Sequence, residues 1–250
     1  MLRCRLMFDL MIWKGFTMNS LLVLIAMASA ADSIPDGKRL KQGETCYTIR
    51  ARKGGADEVI GTVFQRVSRT RVRGIDALNI VVHQRLANGK FDMRDEFLVR
   101  RADLRPLMLN NFRNGKPHVH LDYTERSVTG WKLEQTKEPI NVALAQPVWD
   151  GNLWGLTFAA MPLRAGSRFR LPLYQYDSGL GSFDVAVKGR EKIAAAGKQI
   201  LSWVLDAGTG PDRRVEYLVT AHGEEVGYRA GPMSQLMGGD CRDLRRVQTL

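Results

Sequence analysis

The sequence predicts a mainly β protein, namely a strongly curved antiparallel meander or a partly closed β-barrel, with one short helix at about residues 151–161. Two observations predict this fold class. Apolar and polar residues alternate along many short segments, as they do in strands with one buried face and one exposed face. Glycine-containing turns separate these segments at the spacing of hairpins. Because an open flat sheet of about ten to twelve strands would expose its edges, we expect curvature or partial closure.

The alternation assigns an inward face to each predicted strand. The inward apolar residues include Phe91, Met93, Phe97 and Val99, then Val119, Leu121 and Tyr123, then Val215, Tyr217 and Val219. Between such segments, Asn88-Gly89 and Asn114-Gly115 suit tight turns that need positive φ. The polar residues of these segments are expected on the exposed face. Asp92, Asp95 and Glu96, which alternate with arginines, are accordingly predicted to form a salt-bridged surface.

The predicted helix lies in the segment PVWDGNLWGLTFAAMPLRAGSRF, residues 147–169. Asp150 suits the N-cap position, apolar residues then recur at helical spacing, and Pro162 is expected to end the helix. The apolar run is too short to span a membrane. We expect a three-turn helix packed across one side or the mouth of the curved sheet, with Trp149, Trp154 and Phe158 facing inward.

The first thirty residues predict a secretory signal peptide. Basic residues precede an apolar run that ends in Ala28-Ser29-Ala30, a small-x-small cleavage pattern. An uncleaved N-terminal anchor is the alternative. We expect a signal peptide at residues 1–30, an N-terminal extension at 31–43, one β domain at 44–241 and a basic C-terminal tail at 242–250. This organisation predicts a periplasmic or secreted protein of a Gram-negative-type envelope, with no transmembrane span after signal removal.

Two cysteines, Cys46 and Cys241, remain after the predicted cleavage. An even number of cysteines in an exported chain favours one disulfide, although two free thiols remain an alternative. The chain as a whole carries 37 Lys and Arg against 26 Asp and Glu; without the signal, 34 basic and 25 acidic residues leave a charge of +9. For an exported protein this charge favours anionic head groups or envelope polymers as partners rather than nucleic acid.

The C-terminal half resembles a known family. The helix is followed by MPLRAGSRFRLPLY, VAVKGREKIAAAGKQILSWVLD and YLVTAHGEEVGY, with a Leu-x-x-Gly turn at Leu163 and Gly166 and a Gly-x-Glu strand at Gly189 and Glu191 before Gly197. This pattern resembles an uncharacterised family of bacterial envelope proteins, a domain of unknown function with a curved β-sheet. The resemblance best covers residues 140–232, and more loosely 44–232. The N-terminal half is similar to the curved sheets of lipoprotein-localisation carriers, which implies an apolar concavity that takes acyl chains.

Two sets of residues are candidates for a site. His118, His120 and Asp122 occupy positions i, i+2 and i+4 of a predicted strand, so their side chains could converge on a metal ion; a solvated strand face is the alternative. The second set is mainly aromatic and could line an apolar ligand pocket under the helix, or simply fill the core. Its members are Trp149, Trp154, Phe158, Tyr174, Tyr176 and Trp203, together with Glu191, which could bind a polar head group or form a cross-strand ion pair.

These observations predict a non-catalytic envelope protein that binds or carries a hydrophobic or amphiphilic ligand, such as a lipid, in the concavity of its sheet. No nucleophile elbow and no phosphate-binding loop is present in the sequence, and no cofactor is expected. One alternative is a structural or assembly factor that contacts an envelope partner through its sheet edge or basic face. A metal-dependent enzyme at His118, His120 and Asp122 is the other alternative.

Overall fold

Fifteen strands hydrogen-bond side by side into one curved sheet in the computed structural model, which describes residues 34–245. This arrangement confirms the predicted fold class. The predicted signal peptide lies outside the described residues. The first eight strands are β1 (Gly43–Lys53), β2 (Ala56–Val72), β3 (Ile75–Leu86), β4 (Asp92–Arg100), β5 (Pro106–Arg113), β6 (Lys116–Tyr123), β7 (Ser127–Leu133) and β8 (Lys137–Ala143).

The remaining elements include the two short helices. The strands are β9 (Trp149–Asp150), β10 (Arg168–Gln175), β11 (Gly179–Ala195), β12 (Lys198–Gly208), β13 (Arg214–Val219), β14 (Glu225–Ala230) and β15 (Met233–Met237). Helix α1 spans Trp154–Ala159, helix α2 spans Arg242–Arg245, and a 3₁₀ turn spans Gly37–Arg39. Within residues 34–245, no helix is long and apolar enough to cross a membrane.

The sheet consists of two meanders joined by the pairing of the first strand with the last. Strands β1 to β8 follow one another outward to one edge, strands β15 back to β9 follow one another to the other edge, and β1 pairs with β15 between them. All neighbours are antiparallel except β9 and β10, which are parallel. Within the described part of the chain, no ladder joins the edge strands β8 and β9, so the sheet is curved but not closed.

Helix α1 fills the concave side of this sheet. All six of its residues are buried, and Phe158 is 0% exposed. The Trp154 ring stacks on Phe183 of β11 with centroids 4.2 Å apart, and Phe158 meets Tyr217 of β13 edge-on at 4.9 Å. Because apolar residues from both meanders belong to the same cluster as the helix, α1 packs inside the fold rather than across its mouth.

The helix is shorter than the sequence predicts. It has six residues, whereas residues 151–161 were expected to be helical. Asp150 is not its N-cap: this residue lies in β9, and its carboxylate accepts hydrogen bonds from the backbone and side-chain nitrogens of Asn152 in the turn that follows. Leu153 stands at the N-cap and makes no side-chain capping bond. The strand pairing of Asp150 with Tyr174 thus prevents an earlier start.

Side-chain contacts connect the two meanders where the edge strands do not pair. Tyr123 of β6 donates a hydrogen bond to Asp150 of β9 (2.7 Å), and the Trp149 indole donates to the backbone oxygen of Asp103 (3.0 Å). Lys132 of β7 pairs with Asp177, in the turn after β10, at 2.6 Å. We call these three contacts the seam. They hold the two meanders together beside α1.

Both ends of the described chain pack onto the sheet. Leu40, within the predicted N-terminal extension, is buried in the main core, and the Asp36 backbone nitrogen donates to the Ala160 oxygen at the end of α1 (3.0 Å). At the other end, Cys46 and Cys241 form a disulfide with their Cα atoms 5.7 Å apart, as the sequence predicts. Leu244 of α2 is buried beside this disulfide.

Removing the disulfide should lower the stability of the fold. The bond closes a loop with a sequence separation of 195 residues, so the double variant Cys46→Ser/Cys241→Ser should lose up to about 5 kcal/mol of unfolding free energy. Denaturant unfolding measures this loss, and reduction of the wild-type protein should give the same change. Unchanged unfolding of the double variant would show that the bond does not constrain the chain.

Candidate functional site

A cavity of about 190 Å³ lies between helix α1 and the concave face of the sheet. Side chains from β2, β3, β4, β13, β14 and β15 form one wall, and the N-terminal half of α1 with the turn before it forms the other. The lining residues are Gln65, Val82, Gln84, Met93, Asp95, Asn152, Leu153, Trp154, Gly155, Leu156, Tyr217, Glu225, Tyr228 and Gln235. Amides, carboxyls and hydroxyls therefore line a partly open cavity beside a largely apolar core.

Strand register explains why so many polar groups meet here. Residues directly opposite each other on paired strands have side chains on the same face of a sheet. One row runs from Gln65 through Val82 to Asp95 across β2, β3 and β4. A second row runs from Tyr217 through Tyr228 to Gln235 across β13, β14 and β15. Both rows are on the concave face, so the cavity has a polar patch on each meander.

Asp95 is buried in the first row, and its prediction as salt-bridged surface is wrong. Only 3% of the residue is exposed, and the Asn111 side-chain nitrogen donates to its Oδ1 atom at 2.6 Å. Asp95 shares the strand parity of Met93 and Phe97, which places it inward. Burial raises the pKa of Asp95 to about 7; the negative charge of Asp150 also raises it, whereas the Asn111 hydrogen bond and the positive charge of Arg113 lower it.

Glu225 occupies the opposite side of the cavity, at the start of β14. The Gln65 side-chain nitrogen donates to its Oε2 atom at 2.9 Å. The hydroxyl of Tyr47 contacts the Gln65 side-chain oxygen at 3.0 Å and the Glu225 backbone oxygen at 3.1 Å. Burial raises the pKa of Glu225, and the Gln65 hydrogen bond opposes that rise. Gln65 therefore links the two meanders through a buried polar network.

Several polar groups of the lining have no partner in the protein. Within residues 34–245, no side-chain hydrogen bond is formed by the Gln235 amide, although only 7% of that residue is exposed, or by the hydroxyls of Tyr217 and Tyr228. Asp95 and Glu225 each use one carboxyl oxygen and leave the other without a protein donor. These groups keep free hydrogen-bonding capacity toward the cavity.

An outer pocket of about 350 Å³ adjoins the cavity and shares three lining residues with it, Gln65, Leu156 and Glu225. Other parts of its wall are the start of β1, the turn before β14 and the segment after β15; they include Glu44, Tyr47, Gly223 and Gly239. Glu225 and Gln65 therefore stand between the inner cavity and the outer pocket. The two pockets therefore meet at these side chains.

Asp150 is a third buried carboxyl group, outside the cavity lining and in the seam. It accepts hydrogen bonds from the Tyr123 hydroxyl and from Asn152. Burial raises the pKa of Asp150 to about 6, and these hydrogen bonds oppose the rise. Burial also raises the pKa of Tyr123, with the nearby charge of Asp150 adding to the effect. Asp150 thus connects β9 to β6 through its hydrogen bond with Tyr123.

Of the aromatic residues predicted to line a pocket, Trp154 alone lines the cavity. Trp149, Phe158 and Tyr174 are buried in the core, and Tyr176 packs against its edge. Trp203 lies beneath the Arg190 guanidinium (4.2 Å) and lines a separate pocket.

Glu191 lies on the exposed side of the sheet. It forms an ion pair with Arg229 at 3.0 Å. Of the two roles considered for Glu191, this is the cross-strand ion pair and not the binding of a polar head group.

The predicted metal ligands do not converge. His120 bonds to Asn110 (2.7 Å) and Asp122 (3.1 Å), whereas the buried ring of His118 packs edge-on against Tyr176. A β-bulge between β5 and β6 leaves His118 out of the paired register, which separates it from the other two. In the part of the chain that the structure describes, no group of three or more metal-ligating residues forms a cluster.

Sequence reasoning missed most of the cavity lining. Gln65, Asp95, Glu225 and Gln235 were not recognised as site residues. An acidic residue at an inward position between Met93 and Phe97 was the one available signal. No pattern in the sequence relates Glu225 to Gln65, because their contact depends on how the two meanders face each other.

Gly155 should be sensitive to substitution because a Cβ atom at this position would overlap the carboxyl group of Glu225. Alanine normally favours helix by about 1 kcal/mol over glycine. We nevertheless expect Gly155→Ala to destabilise the protein by about 1–3 kcal/mol through overpacking. In the Glu225→Ala background the same substitution should cost much less, which a double-mutant cycle by chemical denaturation measures.

Gly210→Ala is the matched control, since an added Cβ there meets no atom within 4 Å. Equal effects of Gly155→Ala with and without Glu225 would contradict the close approach of helix and carboxyl group.

The buried carboxyl of Asp95 should make stability pH-dependent. Its pKa in the folded protein, about 7, lies above the ordinary value, so between about pH 4 and pH 7 the folded state holds a proton that the unfolded state has lost. Stability therefore falls as pH rises through this window. Asp95→Asn should change stability little at pH 4 and raise it by up to about 4 kcal/mol at pH 8.

Urea unfolding at both pH values measures the effect of Asp95→Asn. Asp122→Asn, at an exposed position of β6, is the control and should show no such divergence. A stability difference between Asp95→Asn and wild type that does not change with pH would show that Asp95 ionises normally.

Comparisons with known proteins agree on a fold without a defined activity. No curated protein is significantly similar in sequence. A solved structure described as a beta-barrel-like protein of domain of unknown function DUF1849, from Brucella abortus, has a TM-score of 0.50, with 8% identity, over 80% of this chain and 96% of that chain. At that identity the similarity concerns the fold alone. Residues 46–231 match the family described as protein of unknown function (DUF3108), and the chain therefore belongs to the DUF3108 family.

Proposed function

We propose that this protein is a non-catalytic binding protein of the cell envelope and that it holds a small polar ligand in the cavity beside α1. The observation that carries the proposal is the convergence of polar side chains with free hydrogen-bonding capacity on this cavity, above all the Gln235 amide, which forms no side-chain hydrogen bond within residues 34–245. Ligand sites commonly combine an enclosed space with a few convergent polar groups.

The packing of α1 argues for a polar ligand rather than an acyl chain. The sequence suggested a hydrophobic or amphiphilic ligand whose tail would occupy the concavity. In the structure, Trp154, Phe158 and their aromatic neighbours fill that space. An amphiphile would have to place its polar head in the inner cavity and leave its tail in or beyond the outer pocket. The proposed ligand is therefore small, and its polar groups are its main means of recognition.

An envelope location is part of the proposal. The predicted signal peptide at residues 1–30 would direct the chain to the periplasm, and the Cys46–Cys241 disulfide is consistent with an oxidising compartment. The arginines expected to attract anionic polymers or head groups are partly neutralised. Arg69 and Arg101 both pair with Asp76, and Arg100 pairs with Asp103 and Glu125. These ion pairs weaken the case for an anionic polymer as the main partner.

A role as an assembly factor is a second candidate, and the edge of the sheet is the feature that favours it. In the described chain, β8 pairs with β7 on one side and with no strand on the other. Its backbone groups on the free side could pair with a strand of another protein. Pro139 within β8 limits how many donors this edge offers.

Ligand binding can be tested on the full mature protein by NMR, using the Trp154 indole and the Gln235 side-chain amide as reporters. A panel of polyols, amines, amino acids and carboxylates should contain at least one class that shifts both signals in a saturable way, whereas decanoate should not. Val82→Phe, which adds bulk to the lining, should abolish the shifts. Val59→Phe, at an exposed position, is the control and should leave them unchanged.

Saturable shifts with decanoate alone would favour the amphiphile carrier. Failure of every compound to shift the two reporters would overturn the proposal and leave the assembly role as the better candidate.

A further inference from the structure

The charge of the cavity lining defines the class of ligand that fits it. Two carboxyl groups, Asp95 and Glu225, line the same cavity, and no lysine, arginine or histidine does. Salt bridges elsewhere in the protein pair most acidic groups with an arginine or lysine, as Glu191 pairs with Arg229. The two cavity carboxyls instead have only neutral amides as donors, from Asn111 and Gln65. No cationic side chain of the lining neutralises these two carboxyls, and Arg113, whose positive charge lowers the pKa of Asp95, lies outside the lining.

Each carboxyl group uses one oxygen atom in a hydrogen bond from a neighbouring amide. Asn111 holds Oδ1 of Asp95 and Gln65 holds Oε2 of Glu225. The second oxygen of each group has no protein donor within residues 34–245. The Gln65 side-chain oxygen also accepts a bond from Tyr47, which fixes the orientation of the Gln65 amide. Two carboxyl groups on different meanders thus line one small space, and the Glu225 carboxyl also lies against Gly155 of α1.

The remaining lining suits an organic cation better than a metal ion. Trp154, Tyr217 and Tyr228 present aromatic groups to the cavity, and the faces of such rings attract alkylammonium groups. The Gln235 amide and the tyrosine hydroxyls add neutral hydrogen-bonding partners, which an amine with a hydroxyl or amide substituent could use. A bare divalent ion would require a shell of closely spaced oxygen ligands. No such cluster of metal-ligating residues occurs in the described chain.

We propose that the cavity between Asp95 and Glu225 binds the ammonium group of a small organic amine, which enters from the outer pocket past Glu225 and Gln65. This inference rests on the proposed binding function and specifies its ligand class. The volume of about 190 Å³ admits a short amine but not a peptide chain. An amine with a longer substituent would extend into the outer pocket, whose wall includes Glu44 and Glu224 as well as Lys41 and Lys198.

Three probes of similar size and different charge test this assignment, namely ethanolamine, ethylene glycol and glycolate. Titration is followed by NMR through the Trp154 indole and Gln235 amide signals at constant ionic strength and pH 8. Ethanolamine should bind, in roughly the millimolar range expected of a ligand with so few atoms. Ethylene glycol should bind at least about tenfold more weakly, because it lacks the charge that the carboxyls complement. Glycolate should not bind.

Carboxyl-to-amide variants identify the groups responsible. Glu225→Gln and Asp95→Asn should each weaken ethanolamine binding by about tenfold or more while keeping the shape of the side chain. Glu191→Gln, which removes a carboxylate from the exposed side of the sheet, is the control and should leave the affinity unchanged. If the NMR spectrum shows that Glu225→Gln does not fold, the affinity of Asp95→Asn, on the opposite wall, decides the question.

The outcomes separate this inference from the binding function on which it rests. Equal binding of ethylene glycol and ethanolamine, or unchanged ethanolamine affinity in a folded carboxyl variant, would overturn the amine assignment and leave a site for neutral polar molecules. Binding of glycolate alone would also overturn it. Absence of binding by these probes and by the whole panel of polar compounds would overturn both the amine assignment and the proposed function.

Discussion

The edge strands of this curved sheet do not pair with each other, so the sheet cannot close and bury its own concave face. Helix α1 covers that face instead. All six residues of the helix are buried, and its aromatic side chains contact strands that belong to the C-terminal meander, within a core shared by both meanders. The seam depends on the same element, because β9 and the turn that precedes α1 supply Trp149 and Asp150. A polar helix, or none, would leave the apolar inner faces of both meanders exposed to water.

The short helix does not fill the space beside its own N-terminal half completely. Gly155 allows the Glu225 carboxyl to approach the helix backbone, and the polar cavity begins at that contact. The carboxyls of Asp95 and Glu225 are costly to ionise there, because burial disfavours the charged form. Residues that are unfavourable for the stability of an apolar core and that converge on one space are often functional. The same groups therefore link the energetics of the core to the proposed recognition of a ligand.

The sequence predicted the architecture better than the site, and particular residues show why. Period-two alternation correctly placed Phe97 and Val99 in the core, and the cysteine count predicted the disulfide that the structure contains. The length of the helix was overestimated because Asp150 pairs with Tyr174 in the sheet, and this tertiary contact keeps the helix from starting earlier. Asp95 was assigned to the surface because aspartate is usually exposed, although its position in the strand alternation with Met93 and Phe97 places it on the inward face. His118 left the expected register through a bulge, which alternation cannot reveal. Glu225 and Gln65 meet only because two meanders face each other across a helix.

The pairing of β1 with β15 has a consequence for the order of the chain. The described termini lie near the middle of the sheet, where Cys46 and Cys241 are bonded, whereas the β8–β9 connection joins the two outer edges. A circular permutation that linked the ends near the disulfide and opened the chain between β8 and β9 would make sequence order identical to spatial order from one edge to the other. Every ladder would then join strands consecutive in the chain. In the native order, the two central strands β1 and β15 lie at opposite ends of the domain sequence. The ladder between them can therefore form only once both strands have left the ribosome.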